Sequence, residues 1–328
     1  MKFATLKSGG RDGTLILVNK ELSMAVPAGE TGVRTLQSAL ENWPHIAPKL
    51  ETLSEDLGRN NLEAFPFNPS VVAAPLPRAY QWLDGSAYLS HVERVRKARG
   101  APMPENYLTD TLMYQGNSAE FLGPRDPILI ADVSWGADFE AEIAVVTDDV
   151  PRGVTVGEAG SHIKLLMLVN DISYRDLIPQ ELAKGFGFLH GKPGCAFSPV
   201  AITPDELGEA WEGGKVHLPL VTHLNGEIFG QPNAGKDMHF DFPALIAHAA
   251  KTRRLPAGTI IGSGTVSNAD ASQGYSCIVE KRVMEQMASG RASTHYLRSG
   301  DRVWIEMYDR KGRSLFGAID QEVRLWQR

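Results

Sequence analysis

The sequence predicts an α+β protein, mainly β, in which a small N-terminal domain at residues 1–70 precedes a larger domain at residues 71–328. The chain of 328 residues is longer than one average core requires, which favours two units. Its 32 glycines and 20 prolines indicate many turns and short strands. Residues 64–77 are rich in proline, which opposes both helix and central strand, and therefore mark the boundary.

The N-terminal domain is predicted to hold three strands and one interrupted helix. Strands are expected at residues 2–6, 14–18 and 24–26, where polar and apolar residues alternate. Helical spacing covers residues 35–57, although two prolines fall inside that segment. We find no chemistry-bearing motif in this domain.

Composition and charge argue against several classes of partner. The chain has a formal charge of −6 and a pI near 5.9, so it lacks the basic excess that nucleic acid or an anionic membrane would require. The basic residues at 94–99 are interpreted as the solvated face of one helix. Cys195 and Cys277 make no disulfide framework, and no apolar run is long enough to span a bilayer. We therefore expect a soluble cytoplasmic protein.

The acidic strand predicted at residues 139–146 carries the most informative pattern. Alternation places Glu140 and Glu142 on one face and apolar residues on the other. Neighbouring carboxylates repel each other, so this face is either solvated or supplied with a cation. Hard oxygen ligands suit Mg²⁺ or Ca²⁺ better than Zn²⁺. The strand alone leaves both interpretations open.

Further polar residues occur where sites often collect ligands. Asp84 lies seven residues before His91, which is on a helix predicted over residues 86–99. The two share a face if the helix extends that far, and otherwise Asp84 is an N-cap. His91 alone is equally compatible with an ordinary surface or core position. Asp171 follows the apolar strand at residues 163–169, where it is either a ligand or a turn residue.

The C-terminal half is rich in turns. Lys192 lies in a glycine-bearing loop, where it either neutralises an oxyanion or is simply exposed. Local signals predict four further elements, which are a hairpin turning at Asn225-Gly226, a helix over residues 242–253, a strand-like alternation at residues 276–280, and a final hairpin joining residues 303–308 to 314–318.

Several motifs follow one another in a definite order along the chain. They are Asp84, His91, Glu140-Ala141-Glu142, Asn170-Asp171-Ile172-Ser173-Tyr174-Arg175-Asp176, His190-Gly191-Lys192, Ser198-Pro199 and Gly262-Ser263-Gly264-Thr265. This order resembles the fumarylacetoacetate hydrolase family over residues 73–323. More loosely, the first 70 residues resemble the N-terminal domain of fumarylacetoacetase. The resemblance implies a mixed β-sheet roll in the C-terminal domain, a homodimer and a divalent-metal site.

The resemblance also implies a ligand set and a reaction. The metal ligands would be Asp84, Glu140, Glu142 and Asp171, and four carboxylates suit Mg²⁺ or Ca²⁺. Hydrolases of this family cleave a carbon–carbon bond in a β-diketo acid, a small molecule whose adjacent oxygens can chelate the metal.

Roles for the remaining site residues follow from the same resemblance. His91 would be the general base that activates water, Glu280 the carboxylate that orients it, and Lys192 a partner for the developing oxyanion. The substrate contacts would be Arg175, Thr265 and Gln180.

Two positions depart from the fumarylacetoacetase pattern. Ile178 stands where that enzyme has a glutamine shortly after the arginine, and Gln180 follows two residues later. Ser86 stands where it has a tyrosine. Both changes concern substrate contacts, so they affect the acyl part of the substrate more than the reaction type.

Three functions remain open at this point. The first is hydrolysis of fumarylacetoacetate or a related acylpyruvate. The second is a lyase, hydratase, isomerase or decarboxylase that acts on a 2-oxo acid at the same metal site. The third is a non-catalytic, metal-stabilised binding module. The joint presence of His91 and Glu280 favours the first function, because the second needs no water activator.

Overall fold

A mixed sheet of eleven strands is the main structural element in the described part of the chain, residues 1–98 and 100–326 of the computed structural model. A second sheet of five strands shares a hydrophobic core with it. In the described part of the chain the strands outnumber the helices, so the predicted α+β, mainly β fold class is confirmed.

The bounds of these elements are as follows. The strands are β1 (Lys2–Leu6), β2 (Thr14–Val18), β3 (Met24–Pro27), β4 (Phe65–Pro66), β5 (Trp82–Gly85), β6 (Met113–Gln115), β7 (Ile128–Ile130), β8 (Ala137–Asp138), β9 (Ala141–Thr147), β10 (Ile163–Asp171), β11 (Ser173–Tyr174), β12 (Cys195–Phe197), β13 (Ala201–Ile202), β14 (Trp211–Glu212), β15 (Lys215–Val216), β16 (Leu220–Leu224), β17 (Glu227–Gly230), β18 (Ile260–Gly262), β19 (Arg302–Met307) and β20 (Ile319–Leu325). The helices are α1 (Leu36–Glu41), α2 (Trp43–Gly58), α3 (Leu89–Ala98), α4 (Val156–Ala159), α5 (Ile178–Lys184), α6 (Phe242–Ala249) and α7 (Ile278–Ser289).

The large sheet runs in the order β4-β3-β2-β1-β13-β10-β9-β18-β5-β6, with β12 also paired to β10. The N-terminal strands are joined to the rest through the antiparallel pairing of β1 with β13. The predicted division at residue 70 therefore lies within one hydrogen-bonded sheet, and whether the two parts fold independently stays a prediction. The smaller sheet has the order β17-β16-β19-β20-β7.

The central pair β9 and β10 is buried on both faces. On one face Val145 and Leu166 belong to the core shared with the smaller sheet, whereas on the other Val146 and Leu165 pack with the N-terminal helices. Successive strand side chains alternate between faces, so a strand covered on both sides needs a continuous apolar run. This requirement explains the apolar segment at residues 163–169. The buried pair of strands is therefore a firm support for the acids at its ends.

Several local predictions are confirmed. Helix α6 is capped by Asp241, whose Oδ1 accepts a hydrogen bond from Ala244 N at 2.8 Å. Asn225 and Gly226 both have positive φ, as a tight hairpin turn between β16 and β17 requires. Among the described residues, no helix combines the length and apolar character needed to cross a membrane.

Two local predictions are wrong. Residues 276–280 are not a strand, because helix α7 begins at Ile278 and its first amides are bound by Asp138, a residue distant in sequence. The predicted final hairpin is wrong in its extent. Tyr308 bridges Ser314 and Leu315 N donates to Met307 O at 3.1 Å, but the rest of β19 pairs with β20 and not with residues 314–318. In that segment Gly317 takes a positive φ and packs closely on Pro199, which bends the chain before β20 begins.

Candidate active site

Three of the predicted metal ligands lie close together on three strands of the large sheet. Asp84 is on β5, Glu142 on β9 and Asp171 at the end of β10, and oxygen atoms of the three lie within 4.8 Å of one another. β18 separates β5 from β9, and a Cβ on its Gly262 would approach Oδ1 of Asp84 to 2.4 Å. The absence of a side chain at this position therefore makes room for the cluster.

Asp84 is placed by a strand and not by a helix. It pairs with Tyr114 across β5 and β6, and α3 begins only at Leu89. Both helical interpretations of Asp84, as an N-cap and as a residue two turns from His91, are therefore wrong. Its Oδ1 instead accepts a hydrogen bond from Gly264 N at 3.0 Å.

The cluster has the electrostatics of a cation site. Burial and the neighbouring carboxylates raise the pKa of Glu142 and of Asp84 well above the usual range. Both carboxylate oxygens of Glu142 are buried and have no hydrogen-bond partner among the described residues. Unpaired buried acceptors are costly, and hard oxygen ligands suit Mg²⁺ or Ca²⁺. The residues present thus fit a divalent cation.

Glu140, the fourth predicted ligand, is ion-paired with cationic side chains of the protein itself. Its carboxylate accepts hydrogen bonds from Arg175 Nη2 at 2.6 Å and from Lys192 Nζ at 2.5 Å. Burial favours the neutral acid, but Arg175, Lys192 and His91 outweigh it and hold the pKa of Glu140 well below the usual range. Glu140 and Glu142 are both buried, so the interpretation of their strand face as solvated is wrong.

Lys192 connects Glu140 to the acid cluster. Its Nζ also donates to Oδ2 of Asp171 at 2.6 Å, and its side chain is only 9% exposed, so the exposed-lysine interpretation is wrong. Sequence reasoning missed two other partners of Asp171. The hydroxyl of Tyr114 donates to Oδ2 at 2.8 Å, and the thiol of Cys195 donates to Oδ1 at 3.0 Å. Neither contact follows from sequence spacing, because both cross between strands.

His91 and Glu280 come together from α3 and α7. His91 Nδ1 lies 2.6 Å from Oε1 of Glu280, whose Oε2 accepts hydrogen bonds from Arg94 Nη1 at 2.7 Å and Ser267 Oγ at 3.1 Å. Burial opposes the charge on Glu280, but its bonds to His91 and Arg94 lower the pKa of that carboxyl. The carboxylate is therefore available to orient the imidazole.

Arg94 corrects the interpretation of the basic segment as a solvated helix face. Its side chain is 12% exposed and ion-paired with Glu280. Arg96, two residues on, lines the cavity next to the acids. The last member of that segment, Arg99, lies outside the described residues.

A second group of metal-type ligands also has its ligand atoms within 4.8 Å of one another, and it consists of His91, Cys277 and Glu280. Arg94 already neutralises Glu280 there, and Arg175 lies close enough to affect the pKa of the Cys277 thiol. In the acid cluster Lys192 binds Asp171, but both oxygens of Glu142 lack a hydrogen-bond partner among the described residues, so Asp84, Glu142 and Asp171 are the better candidate for a divalent ion.

Asp138 is a further residue that sequence reasoning missed. It is fully buried at the end of β8 and accepts three hydrogen bonds, from Ile278 N at 2.7 Å, Val279 N at 2.9 Å and Arg175 Nε at 2.9 Å. It therefore touches both the helix that carries Glu280 and the guanidinium bound to Glu140.

A cavity of about 470 Å³ opens beside these groups. Its polar wall includes His91, Lys192 and Thr265, and Arg175 also reaches it. Gln180, the remaining predicted substrate contact, is exposed on α5 and is not part of the wall. The apolar wall is formed by Val92, Val95, Leu112, Met113, Ile178, Leu182 and Phe188.

The fold and this cavity define a β-rich protein with a candidate divalent-cation site. Residues 81–324 match the family model described as fumarylacetoacetate (FAA) hydrolase C-terminal, and residues 1–78 match fumarylacetoacetase N-terminal domain 2. Because the first match covers most of the chain, the protein belongs to the fumarylacetoacetate hydrolase family.

Relatives within the family have different activities. The chain is 26% identical over 241 residues to oxaloacetate tautomerase fahd2, mitochondrial, of Xenopus laevis, which covers 72% of this chain and 65% of that protein. It is 29% identical over 160 residues to 2,4-didehydro-3-deoxy-L-rhamnonate hydrolase of Sphingomonas sp., covering 48% and 53%. It is 30% identical over 177 residues to oxaloacetate tautomerase YisK of Bacillus subtilis, covering 53% and 50%. The chain thus spans about half to two thirds of these relatives.

Solved structures support the fold along the whole chain. An HpcE-type protein of Mycobacterium smegmatis superimposes with a TM-score of 0.69 at 18% identity, and each chain is covered completely. Maleylpyruvate hydrolase of Sphingobium sp. SYK-6, solved with manganese(II) and pyruvate, gives a TM-score of 0.68 at 16% identity, again with both chains covered completely. At these identities the likeness establishes the fold alone.

Proposed function

We propose that this protein hydrolyses a carbon–carbon bond in a β-diketo acid, such as fumarylacetoacetate or an acylpyruvate. The observation that carries the proposal is the position of His91, which lines the same cavity as Asp84 and Glu142 of the acid cluster. Glu280 fixes Nδ1, which leaves Nε2 as the proton acceptor. Such an imidazole is what the activation of water requires.

Asp84, Glu142 and Asp171 would hold the divalent cation, with Glu140 alongside. Mg²⁺ and Ca²⁺ match the all-oxygen donor set, and the Sphingobium structure named above contains manganese(II). When bound, the cation supplies Lewis-acid charge to the oxygens of a diketo acid.

The chain's own residues account for the movement of protons. His91 removes a proton from water while the water oxygen attacks the carbonyl carbon. The bond to the neighbouring carbon then breaks, its electron pair leaves as an enolate, and the imidazolium returns the proton to that carbon. Glu280 stabilises the imidazolium between these steps. No oxidant or further reactant is needed.

Lys192 and Arg175 supply the positive charge for the substrate's anionic groups. Lys192 uses two of its three N–H donors for Glu140 and Asp171, which leaves one for the cavity. The carboxylates around it raise the pKa of Lys192 despite burial, so it stays charged. The apolar wall, which includes Leu112 and Phe188, suits the hydrocarbon part of the acyl group.

A second candidate is tautomerisation of a 2-oxo acid such as oxaloacetate. It is favoured by one observation, that two of the relatives described above are oxaloacetate tautomerases. The acid cluster would serve both reactions. They differ in that hydrolysis consumes water and releases two products, whereas tautomerisation only moves a proton.

One assay separates the two. Fumarylacetoacetate, acetylpyruvate and oxaloacetate are each followed by absorbance, with product analysis, in Mg²⁺ and again with a chelator. We expect cleavage products from a diketo acid that disappear with the chelator. Enol–keto conversion of oxaloacetate without cleavage of either diketo acid would refute the hydrolase proposal in favour of the tautomerase.

A further inference from the structure

We propose that Asp138 is a positioning residue that holds Glu280 and Arg175 in fixed relation across the cavity and thereby sets the orientation of His91. This inference rests on the proposed function only for its kinetic consequences. The underlying claim is geometric, and it concerns a carboxylate that touches neither the cavity nor the acid cluster.

The first step is the start of helix α7. Its N-cap residue, Cys277, makes no capping hydrogen bond through its side chain, and the amides of Ile278 and Val279 are bound by Asp138 instead. The first amides of a helix need such acceptors, and a carboxylate there also interacts favourably with the helix dipole. Glu280 is the third residue of this helix. The first turn that Asp138 fixes therefore determines where the Glu280 carboxylate lies.

The second step is the guanidinium of Arg175. β8 pairs with β11 so that Ser173 lies opposite Asp138, which brings Arg175 alongside. Arg175 then spans two carboxylates, because Nε donates to Asp138 and Nη2 to Glu140. A planar guanidinium held at both ends has little freedom to move.

The third step joins the two sides at the imidazole. His91 Nδ1 is held by Glu280, and Nε2 faces Oε1 of Glu140 at 3.8 Å. Asp138 is connected to Glu280 through the amides of the helix, and to Glu140 through Arg175. A shift of Asp138 would thus misplace both carboxylates that flank the ring. Among the described residues Asp138 makes no direct hydrogen bond to Asp84, Glu142 or Asp171, and it is linked to Asp171 only through three further side chains, the last of which is Lys192.

The first test is Asp138→Asn, which replaces one acceptor oxygen of the native carboxylate by an NH2 group that can only donate. We expect kcat to fall about 10- to 100-fold, the cost of a small misplacement of a reacting group, with the affinity for Mg²⁺ unchanged. The matched control is Asp320→Asn, which also breaks the pairing of a buried carboxylate with arginines but lies away from the cavity. The proposal would be overturned if Asp138→Asn had a normal kcat, or if its Mg²⁺ affinity fell by as large a factor as its kcat.

The second test does not depend on any reaction. The hydrogen-bonded proton on His91 Nδ1 should give a downfield proton NMR signal in the wild type and in Asp320→Asn. It should be lost in Glu280→Gln and in Asp138→Asn. If the signal persists in folded Asp138→Asn, the coupling is refuted even when hydrolysis is real. If no diketo acid is cleaved but the signal behaves as expected, only the proposed function fails.

A third variant keeps the buried carboxylate and its ion pair, in case Asp138→Asn does not fold. Val279→Pro removes one of the two amides that bind Asp138, and proline is tolerated in the first turn of a helix. We expect a lower kcat, a weakened His91 signal and unchanged Mg²⁺ affinity. Wild-type kcat and signal in this variant would count against positioning through α7.

Discussion

The four predicted acids of the candidate site differ in whether a cationic side chain is hydrogen-bonded to them. Glu140 is paired with Arg175 and Lys192, whereas Glu142 is buried with no hydrogen-bond donor among the described residues. An unpaired buried charge is much more costly than a paired one. A divalent ion would therefore stabilise the three clustered acids, and His91 lies in the wall of the same cavity.

Replacing His91 by alanine tests its role as the base. We expect turnover of the diketo acid to fall by about two to four orders of magnitude, which is what a positioned general base contributes. Calorimetric titration should show that Mg²⁺ affinity is retained, because the ring does not belong to the acid cluster. His45→Ala, at an exposed position of α2, is the control and should leave both quantities unchanged. Full turnover in His91→Ala would exclude the imidazole as base.

Only part of this residue-level geometry could be predicted from the sequence. The order of Asp84, the two glutamates and Asp171 indicated which acids matter, since the motif order resembles that of a family. The contacts of Tyr114 and Asp138 could not be predicted, because both depend on which strands become neighbours. The same reason explains the error at Asp84, where a spacing typical of a helix belongs to a strand and a turn.

At the level of elements, a glycine on β18 allows the acid cluster to form. Gly262 pairs with Asp84 on one side and with Ala144 on the other, and a Cβ added to it would clash with the Asp84 carboxylate, so a larger residue does not fit there. Helix α7 is the second critical element. Asp138 fixes its first turn, and the loop after its last turn is hydrogen-bonded back to the helix. The sequence did not reveal this helix, since its capping carboxylate is 140 residues away along the chain.

Gly262→Ala should weaken the metal site. The new Cβ would lie 2.4 Å from Oδ1 of Asp84 and 2.5 Å from the Trp82 ring, so one of them must move. We expect a lower melting temperature and a loss of Mg²⁺ affinity by calorimetry. Gly157→Ala, in α4 with no atom within 4 Å of the new Cβ, is the matched control and should be neutral or slightly stabilising. Equal behaviour of the two variants would contradict the packing argument.

Glu285 of α7 gives a pH-dependent prediction. Burial alone would raise its pKa, but the hydrogen bonds from Thr294 and Ser293 together outweigh burial and lower the pKa of Glu285 from 4.5 to about 2. A lowered pKa means that its contribution to stability is present above pH 4.5 and is lost as the pH falls towards about 2. Glu285→Gln should thus be less stable than the wild type at pH 7, and the difference in urea midpoint should shrink across that window. A difference that is independent of pH would contradict this, and Glu51→Gln on the exposed side of α2 is the control.

For the whole molecule, the continuous large sheet is the main organising feature. Its centre, β9 and β10, carries Glu142 and Asp171 between two hydrophobic layers, and its N-terminal strands cover what would otherwise be an edge. The fold class and the family could be predicted from patterning and motif order. The joining of the two predicted domains in one sheet could not be predicted, because the alternation of residues within a strand does not indicate which strand it pairs with.

Removing residues 1–70 tests how far the two parts depend on each other. The deletion would expose β13 as an unpaired edge together with the apolar face formed by Val146 and Leu165. We expect the truncated chain to aggregate or to lose cooperative unfolding, because exposed edges and apolar faces promote association. A truncated protein that keeps the melting temperature and Mg²⁺ affinity of the full chain would show instead that the larger part is an independent domain.

The most direct test of the central claim is a crystal of the protein soaked in Mn²⁺, with an anomalous difference map. We predict one strong peak among Asp84, Glu142 and Asp171, within coordination distance of all three, and on the same cavity as the His91 ring. A peak at His91, Cys277 and Glu280 instead, or no peak at the acid cluster at saturating Mn²⁺, would contradict the account.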